Sequence, residues 1–102
     1  MGAVLMLSRA AATELATVGI RVNSVKPGPT VTNLTATWGP ERDKDGNITT
    51  IEDIAQRILS QIPVGQMAQP REIASVIAFL ACDASQYITG SEFVVDGGYT
   101  AV

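Results

Sequence analysis

Two short runs of strand-forming residues, set apart by a long stretch with two helical patterns, constrain this chain most. Ile20-Arg21-Val22-Asn23-Ser24-Val25 alternates apolar and polar residues, which suits a strand, and Phe93-Val94-Val95 is a second short apolar strand. Before the first strand, Val4, Leu7, Ala11, Leu15 and Val18 recur at helical spacing, which predicts a helix over Ala3 to Val18. Ala10, Ala11, Ala12 and Ala16 would let another element approach it closely, and Gly19 is placed to cap its end. A second helix is expected from Thr50 or Ile51 to Gln61, with Thr50 and Asp53 as a weak capping box. Ile51, Ile54, Ala55, Ile58 and Leu59 make its apolar face. Pro70 suits the first turn of a third helix that runs to about Cys82, with Ile73, Val76, Ile77 and Leu80 as a buried stripe. Pro27-Gly28-Pro29 ends the first strand. The stretch from there to Asn47 reads as an exposed loop, with a turn signal at Asp43 to Asn47.

This order predicts an α/β fold with two short parallel strands and about three helices. A strand, a helix and a second strand suggest a right-handed parallel unit. Short apolar strands of this kind are covered on both faces by helices. A two-stranded sheet leaves open edges that pair with whatever can cover them.

The length of 102 residues accommodates one small domain, taken as 1–102. With 46% hydrophobic and 17% charged residues the chain is globular rather than disordered. A net charge of −3 without any basic block argues against nucleic acid as a partner. Cys82 is the one cysteine, so no internal disulfide forms, and its apolar surroundings in sequence predict a small buried hydrophobe. The absence of histidine excludes a Ser-His-Asp triad and leaves Cys82 plus carboxylates, a poor zinc ligand set, so no metal is expected. Met1 to Ala16 is apolar but carries Arg9 and Glu14 and has no basic leader, which argues against a signal peptide. The apolar run Ile73 to Cys82 is too short to span a bilayer. A cytoplasmic protein without a membrane partner is the expectation.

The most suggestive local feature is Val25-Lys26-Pro27-Gly28-Pro29-Thr30-Val31-Thr32. It lies at the C-terminal end of an expected parallel strand, where ligands bind in open α/β sheets. Proline and glycine set a rigid turn there. Backbone groups and the hydroxyls of Thr30 and Thr32 can hydrogen-bond a planar amide or a phosphate. Taken by itself, an ordinary strand-to-loop turn accounts for the same residues.

The wider string gives this turn a context. Gly19 to Val25, Pro27-Gly28, Gly65 to Ala74, Ala78-Phe79-Leu80-Ala81, Ile88-Thr89-Gly90 and Val95-Asp96-Gly97-Gly98 follow one another in order. Over essentially its whole length the chain resembles the C-terminal part of the short-chain dehydrogenase/reductase family. It looks most like the bacterial-type members that include 3-oxoacyl-acyl-carrier-protein reductases and many sugar, alcohol and steroid dehydrogenases. The resemblance implies a doubly wound, Rossmann-like parallel sheet that binds NAD or NADP and moves hydride between the cofactor and a small carbonyl or alcohol substrate. It implies that Pro27, Gly28 and Thr32 form the turn beside the nicotinamide. Thr30 stands where the family usually has Ile or Val; the change is tolerable if the contact to the carboxamide is made through the backbone and not if packing matters. Residues Asn33 to Gln61 match the family's variable substrate cover, in which Trp38 is either a substrate-facing side chain or a partly buried loop anchor. Ser91 to Gly98 match the last strand and its turn, which often pack across a subunit interface.

The family's catalytic Tyr-x-x-x-Lys falls upstream in this comparison: Met1 takes the lysine position, and Tyr87 and Tyr99 lack a lysine four residues on. Lys26 and Lys44 are not at the required place either, so no catalytic residue is assigned. Reduction of a carbonyl needs a proton donor within about 3 Å of the developing oxyanion. The chain by itself is therefore expected to be inactive and to bind dinucleotide weakly or not at all. The alternative is a non-catalytic role, in self-association as a homo-oligomer or in association with a full-length relative.

Overall fold

The computed structural model describes residues 2–31, 41–42, 48–49 and 51–101. They fall into two compact units, Met1–Pro27 with Arg71–Val95, and Gly28–Pro70 with Asp96–Val102.

The first unit is built on a parallel pair of strands, β1 (Ser24–Pro27) and β4 (Glu92–Val95), with α1 (Gly2–Leu15) before the first and α3 (Pro70–Ala81) before the last. The register runs Ser24↔Glu92, Val25↔Phe93, Lys26↔Val94 and Pro27↔Val95. The expected parallel pairing is therefore present. α1 tightens into a 3-10 turn over Ala16–Val18 instead of continuing to Val18 as an α-helix. Gly19 closes it at φ 80°, its N–H donating to the Ala16 carbonyl. Left-handed backbone of this kind favours glycine, so this residue stops the helix as expected.

Strand β1 begins four residues later than the alternation at Ile20 suggested. Before it, the Ile20 N–H donates back to the Leu15 carbonyl, and Val22 and Asn23 bond to the 88–91 segment outside a ladder. The Val22 N–H donates to Thr89 Oγ1 and the Val22 carbonyl accepts from the Gly90 N–H. Asn23 donates from Nδ2 to the Ile88 carbonyl and accepts the Ser91 N–H at Oδ1. Its amide side chain thus mimics a ladder residue. Pro27, read as the residue that ends the strand, is its last member.

Within this unit the buried apolar residue is Ala12, and an ideal Cβ at Gly90 would stand 3.6 Å from the Ala12 Cβ. The apolar positions of α1 expected to face a core behave differently: Ala11 and Leu15 are half-buried, but Val4, Leu7 and Val18 are exposed. On α3, Ile73, Val76 and Leu80 are half-buried while Ile77, expected in the same stripe, is exposed. A two-stranded sheet of four-residue strands is too narrow to cover every turn of helices this long.

Cys82 also differs from expectation. It lies just past α3, is exposed, and donates from Sγ to the Phe79 carbonyl. Burial at this end of α3 belongs instead to Ser85, which is 1% exposed. Its hydroxyl lies within 3.0 Å of the Phe79, Leu80 and Cys82 carbonyls. Arg21 reaches the same end, its guanidinium donating to the Leu80 and Ile88 carbonyls at 2.6 and 3.1 Å. A hydroxyl and a cation thereby satisfy carbonyls that a helix C-terminus leaves unpaired.

The second unit holds β2 (Glu41–Arg42), β3 (Ile48–Thr49) and α2 (Ile51–Ser60). β2 and β3 pair antiparallel, Glu41↔Thr49 and Arg42↔Ile48, where a loop was expected. Polar, turn-rich composition hid so short a ladder. The turn signal at Asp43 to Asn47 and the capping role of Thr50 lie outside the described residues. α2 is amphipathic as expected: Ile54, Ala55, Ile58 and Leu59 are half-buried, and Glu52, Asp53, Gln56 and Arg57 are exposed. After it Ile62 is buried, at 4% exposure. None of the described helices is long and apolar enough to cross a membrane.

Candidate functional site

The candidate site grows from the ends of the two parallel strands. Register places Pro27 opposite Val95, and the chain leaves β1 through Gly28 and β4 through Asp96. The two departing backbones almost touch. An ideal Cβ on Gly28 would lie 2.5 Å from the Asp96 Cβ and 2.7 Å from its Cα. Only a residue without a side chain permits this approach.

Asp96 folds its own turn. Its carboxylate accepts the Gly98 N–H at Oδ1, and the Thr100 N–H and hydroxyl at Oδ2, at 3.0, 3.0 and 2.5 Å. The Thr100 hydroxyl first, then the backbone N–H groups of Thr100, Gly98 and Tyr99, hold the Asp96 carboxyl below its ordinary 3.8, against a smaller upward push from partial burial. Gly97 and Gly98 follow at φ 63° and 92°, in the left-handed region. There the turn rests on the connector after α2: an ideal Cβ on Gly97 would come within 2.9 Å of Ile62 Cγ2, and the Val64 N–H donates to the Gly97 carbonyl at 3.0 Å. In the sequence Asp96 stands only as part of the Val95-Asp96-Gly97-Gly98 string after the last strand. The signal for more was there, an Asp-Gly-Gly followed by Thr100, a hydroxyl four residues on.

Beyond Gly28, the Thr30 hydroxyl donates to the Gly28 carbonyl at 2.8 Å. Thr30 then bridges Ala68 in parallel: the Val31 N–H donates to the Ala68 carbonyl and the Ala68 N–H to the Pro29 carbonyl, at 2.9 and 3.0 Å. In such a bridge the bridged residue's own N–H and C=O point to the opposite edge. Thr30 therefore directs one backbone donor and one backbone acceptor away from Ala68. That pair is complementary to a planar primary carboxamide, which carries one acceptor oxygen and N–H donors. The residues present thus fit the nicotinamide end of a dinucleotide. Its pyrophosphate is a different matter. The first turns of α2 and α3 carry Glu52, Asp53 and Glu72, which repel an anion at those helix N-termini.

Of the residues singled out from sequence, Pro27, Gly28 and Thr30 come together in this turn; Thr32 and Trp38 lie outside the described residues. In the same unit Ser60, Gln61, Pro63 and Tyr99 line an open groove of about 530 Å³, and the Tyr99 hydroxyl donates to Gln61 Oε1 at 3.3 Å. No group of three or more His, Cys, Asp or Glu side chains gathers among the described residues.

The chain as a whole matches known proteins. A family profile described as "Enoyl-(Acyl carrier protein) reductase" matches residues 2–100. The chain is similar to cis-4-hydroxycyclohexanecarboxylate dehydrogenase of Sinomonas cyclohexanicum, 41% identical over 96 residues, covering 94% of this chain and 34% of that protein. Among solved structures it is similar to a short chain dehydrogenase family protein from Francisella tularensis subsp. tularensis, with a TM-score of 0.82 and 33% identity over 99% of this chain and 41% of that one. It also resembles 4-hydroxyisoleucine dehydrogenase complexed with NADH, with a TM-score of 0.82 and 34% identity over 99% of this chain and 37% of that one. The chain spans about a third of the length of the curated relatives it matches.

Proposed function

Because the chain belongs to the short-chain dehydrogenase/reductase family, as its C-terminal part, we propose that it forms the nicotinamide side of an oxidoreductase that moves hydride between NAD or NADP and a small carbonyl or alcohol. The observation that carries this reading is the turn after β1, where Gly28 is pressed against Asp96 and Thr30 turns a backbone donor and acceptor to one edge. Pro27 and Gly28 fix the turn, Thr30 meets the carboxamide through its backbone, and Thr32 completes the set. The cofactor, when bound, supplies the hydride. The described residues contribute orientation of its ring, and Asn33 to Gln61, with Trp38, contribute the cover over the substrate. The relative solved with NADH supports the choice of a nicotinamide cofactor. The sequence contains no Tyr-x-x-x-Lys to supply the proton and no glycine-rich phosphate turn, so the chain alone is inactive in this reading.

The test is a chimera in which this chain replaces the aligned third of cis-4-hydroxycyclohexanecarboxylate dehydrogenase. A folded chimera that enhances NADH fluorescence on titration supports the reading. A chimera with the parent's circular dichroism and melting behaviour that leaves NADH fluorescence unchanged contradicts it.

A second reading, association with another copy or with a full-length relative, has its own observations. Met6 and Leu7 on α1 are 68% and 71% exposed. Exposed large apolar side chains suit a surface that a partner covers. Light scattering on the purified chain separates the cases: a well-folded monomer counts against association.

A further inference from the structure

The turn that would face the nicotinamide has little of its own to hold it. It contains two prolines and a glycine, and the hydrogen bond within it is the one from the Thr30 hydroxyl to the Gly28 carbonyl. A turn that orients a planar ring must hold its place to within about 0.5 Å, which needs support from outside. Following the contacts outward from Gly28 leads around a closed ring. Gly28 abuts Asp96, and Asp96 is fixed by Gly98 and Thr100. Its neighbour Gly97 accepts the Val64 N–H. The connector that carries Val64 continues to Ala68, which bridges Thr30, and the Thr30 hydroxyl returns to Gly28.

We propose that Asp96 is a positioning residue for the nicotinamide-side turn: its carboxylate locks the 96–100 turn, and that turn sets Gly28 and the Thr30–Ala68 bridge. The inference rests on the reading under Proposed function for the identity of what the turn faces, but the coupling from Asp96 to Thr30 is a property of this chain alone. Asp96 acts through backbone rather than by touching the ligand. The donors that its carboxylate accepts, Gly98 at Oδ1 and Thr100 twice at Oδ2, all come from its own turn. What reaches Gly28 is the Asp96 Cα and Cβ, whose position the carboxylate fixes. The competing account is purely local, with Asp96 shaping residues 96–100 and nothing else.

Amide hydrogen exchange on the full chain separates the two. The reporters are the Val31 and Ala68 N–H groups, which make the bridge at 2.9 and 3.0 Å, and the reference is the Gly90 N–H, which donates to Val22 in the other unit at 2.8 Å. Loss of the carboxylate's hydrogen bonds in Asp96→Ala is expected to speed exchange at Val31 and Ala68 about tenfold while Gly90 keeps its rate. Thr100→Val, which removes one donor and no charge, should give the same pattern at smaller amplitude. Unchanged rates at Val31 and Ala68, with Gly98 and Thr100 resonances displaced, overturn the proposal in favour of the local account. Equal acceleration at Val31, Ala68 and Gly90 in both variants overturns it as well, because it shows general loss of stability. In the chimera, Asp96→Ala should weaken NADH binding about tenfold and leave ADP-ribose, which has no nicotinamide, unaffected. Equal weakening of both ligands contradicts a positioning role. A parent chimera that binds no NADH defeats the earlier reading of the site and leaves the exchange result to stand or fall separately.

Discussion

Gly28→Ala is the substitution whose effect the structure sets most sharply. The added methyl would sit 2.5 Å from the Asp96 Cβ, 2.7 Å from its Cα and 3.3 Å from its carbonyl oxygen. None of these atoms is the free end of a flexible side chain. Relief requires the ends of β1 and β4 to part, or the 96–100 turn to leave the connector beneath it. Overpacking of this kind costs about 1–3 kcal/mol, and a clash against backbone on both sides of a turn belongs at about 2–3. With a urea slope of about 1 kcal/mol per molar for a chain this small, the midpoint should fall by roughly 2–3 M. The melting temperature should fall by roughly 10–20 °C. Gly19→Ala is the control. Its Cβ would meet nothing within 4 Å, but its φ of 80° is left-handed, so it costs about 1 kcal/mol through backbone strain alone. Urea titration followed by circular dichroism ranks the two variants. If Gly28→Ala proves no more destabilising than Gly19→Ala, the two turns are not in contact and the account of the site is wrong.

Two further outcomes follow from residues that cap and lock turns. Ser85→Ala removes a buried hydroxyl whose one proton is shared among three carbonyls at the end of α3, and should lower stability by about 1 kcal/mol in urea titration; a change within error would show that the Cys82, Arg21 and backbone donors already satisfy those carbonyls. Asp96 gives a pH signature. Its carboxyl is held below the ordinary 3.8 in the folded chain. Its contribution is therefore complete above that value and is lost as pH falls through the lower, folded one. Urea midpoints from about pH 7 down to about pH 2 should show an acid-limb loss that is shallower in Asp96→Asn, and parallel limbs in the two proteins would refute the assignment.

Periodic features of the sequence carried most of the fold, and local exchange of hydrogen bonds hid the rest. The apolar spacing of α1, α2 and α3, the glycine after Val18 and the proline at position 70 gave the helices nearly to the residue. The two strands and their parallel sense followed from their separation by helices. The start of β1 was misplaced because alternation at Ile20 to Asn23 looks the same whether the backbone bonds to a strand or to the side chains of Asn23 and Thr89. Ile77 and Cys82 were expected inside because an apolar residue type reports a preference for burial, whereas the sheet available to cover them is two strands wide. At the site, Pro27, Gly28 and Thr30 were visible as a rigid turn at a strand end. Ser85 was not, since its role depends on carbonyls that only the folded chain brings within reach, and Asp96 showed only as an Asp-Gly-Gly with a hydroxyl four residues on.

On the proposed reading, this chain carries the nicotinamide-side turn but not the groups that move the proton. Turnover decides it directly, measured as NAD(P)H-dependent absorbance change with the purified chain and the chimera side by side. The chimera is expected to oxidise the parent's alcohol substrate while the chain alone stays at the no-enzyme baseline. Turnover by the chain alone, well above contaminant level, would contradict the claim, and so would a folded, NADH-binding chimera that never turns over.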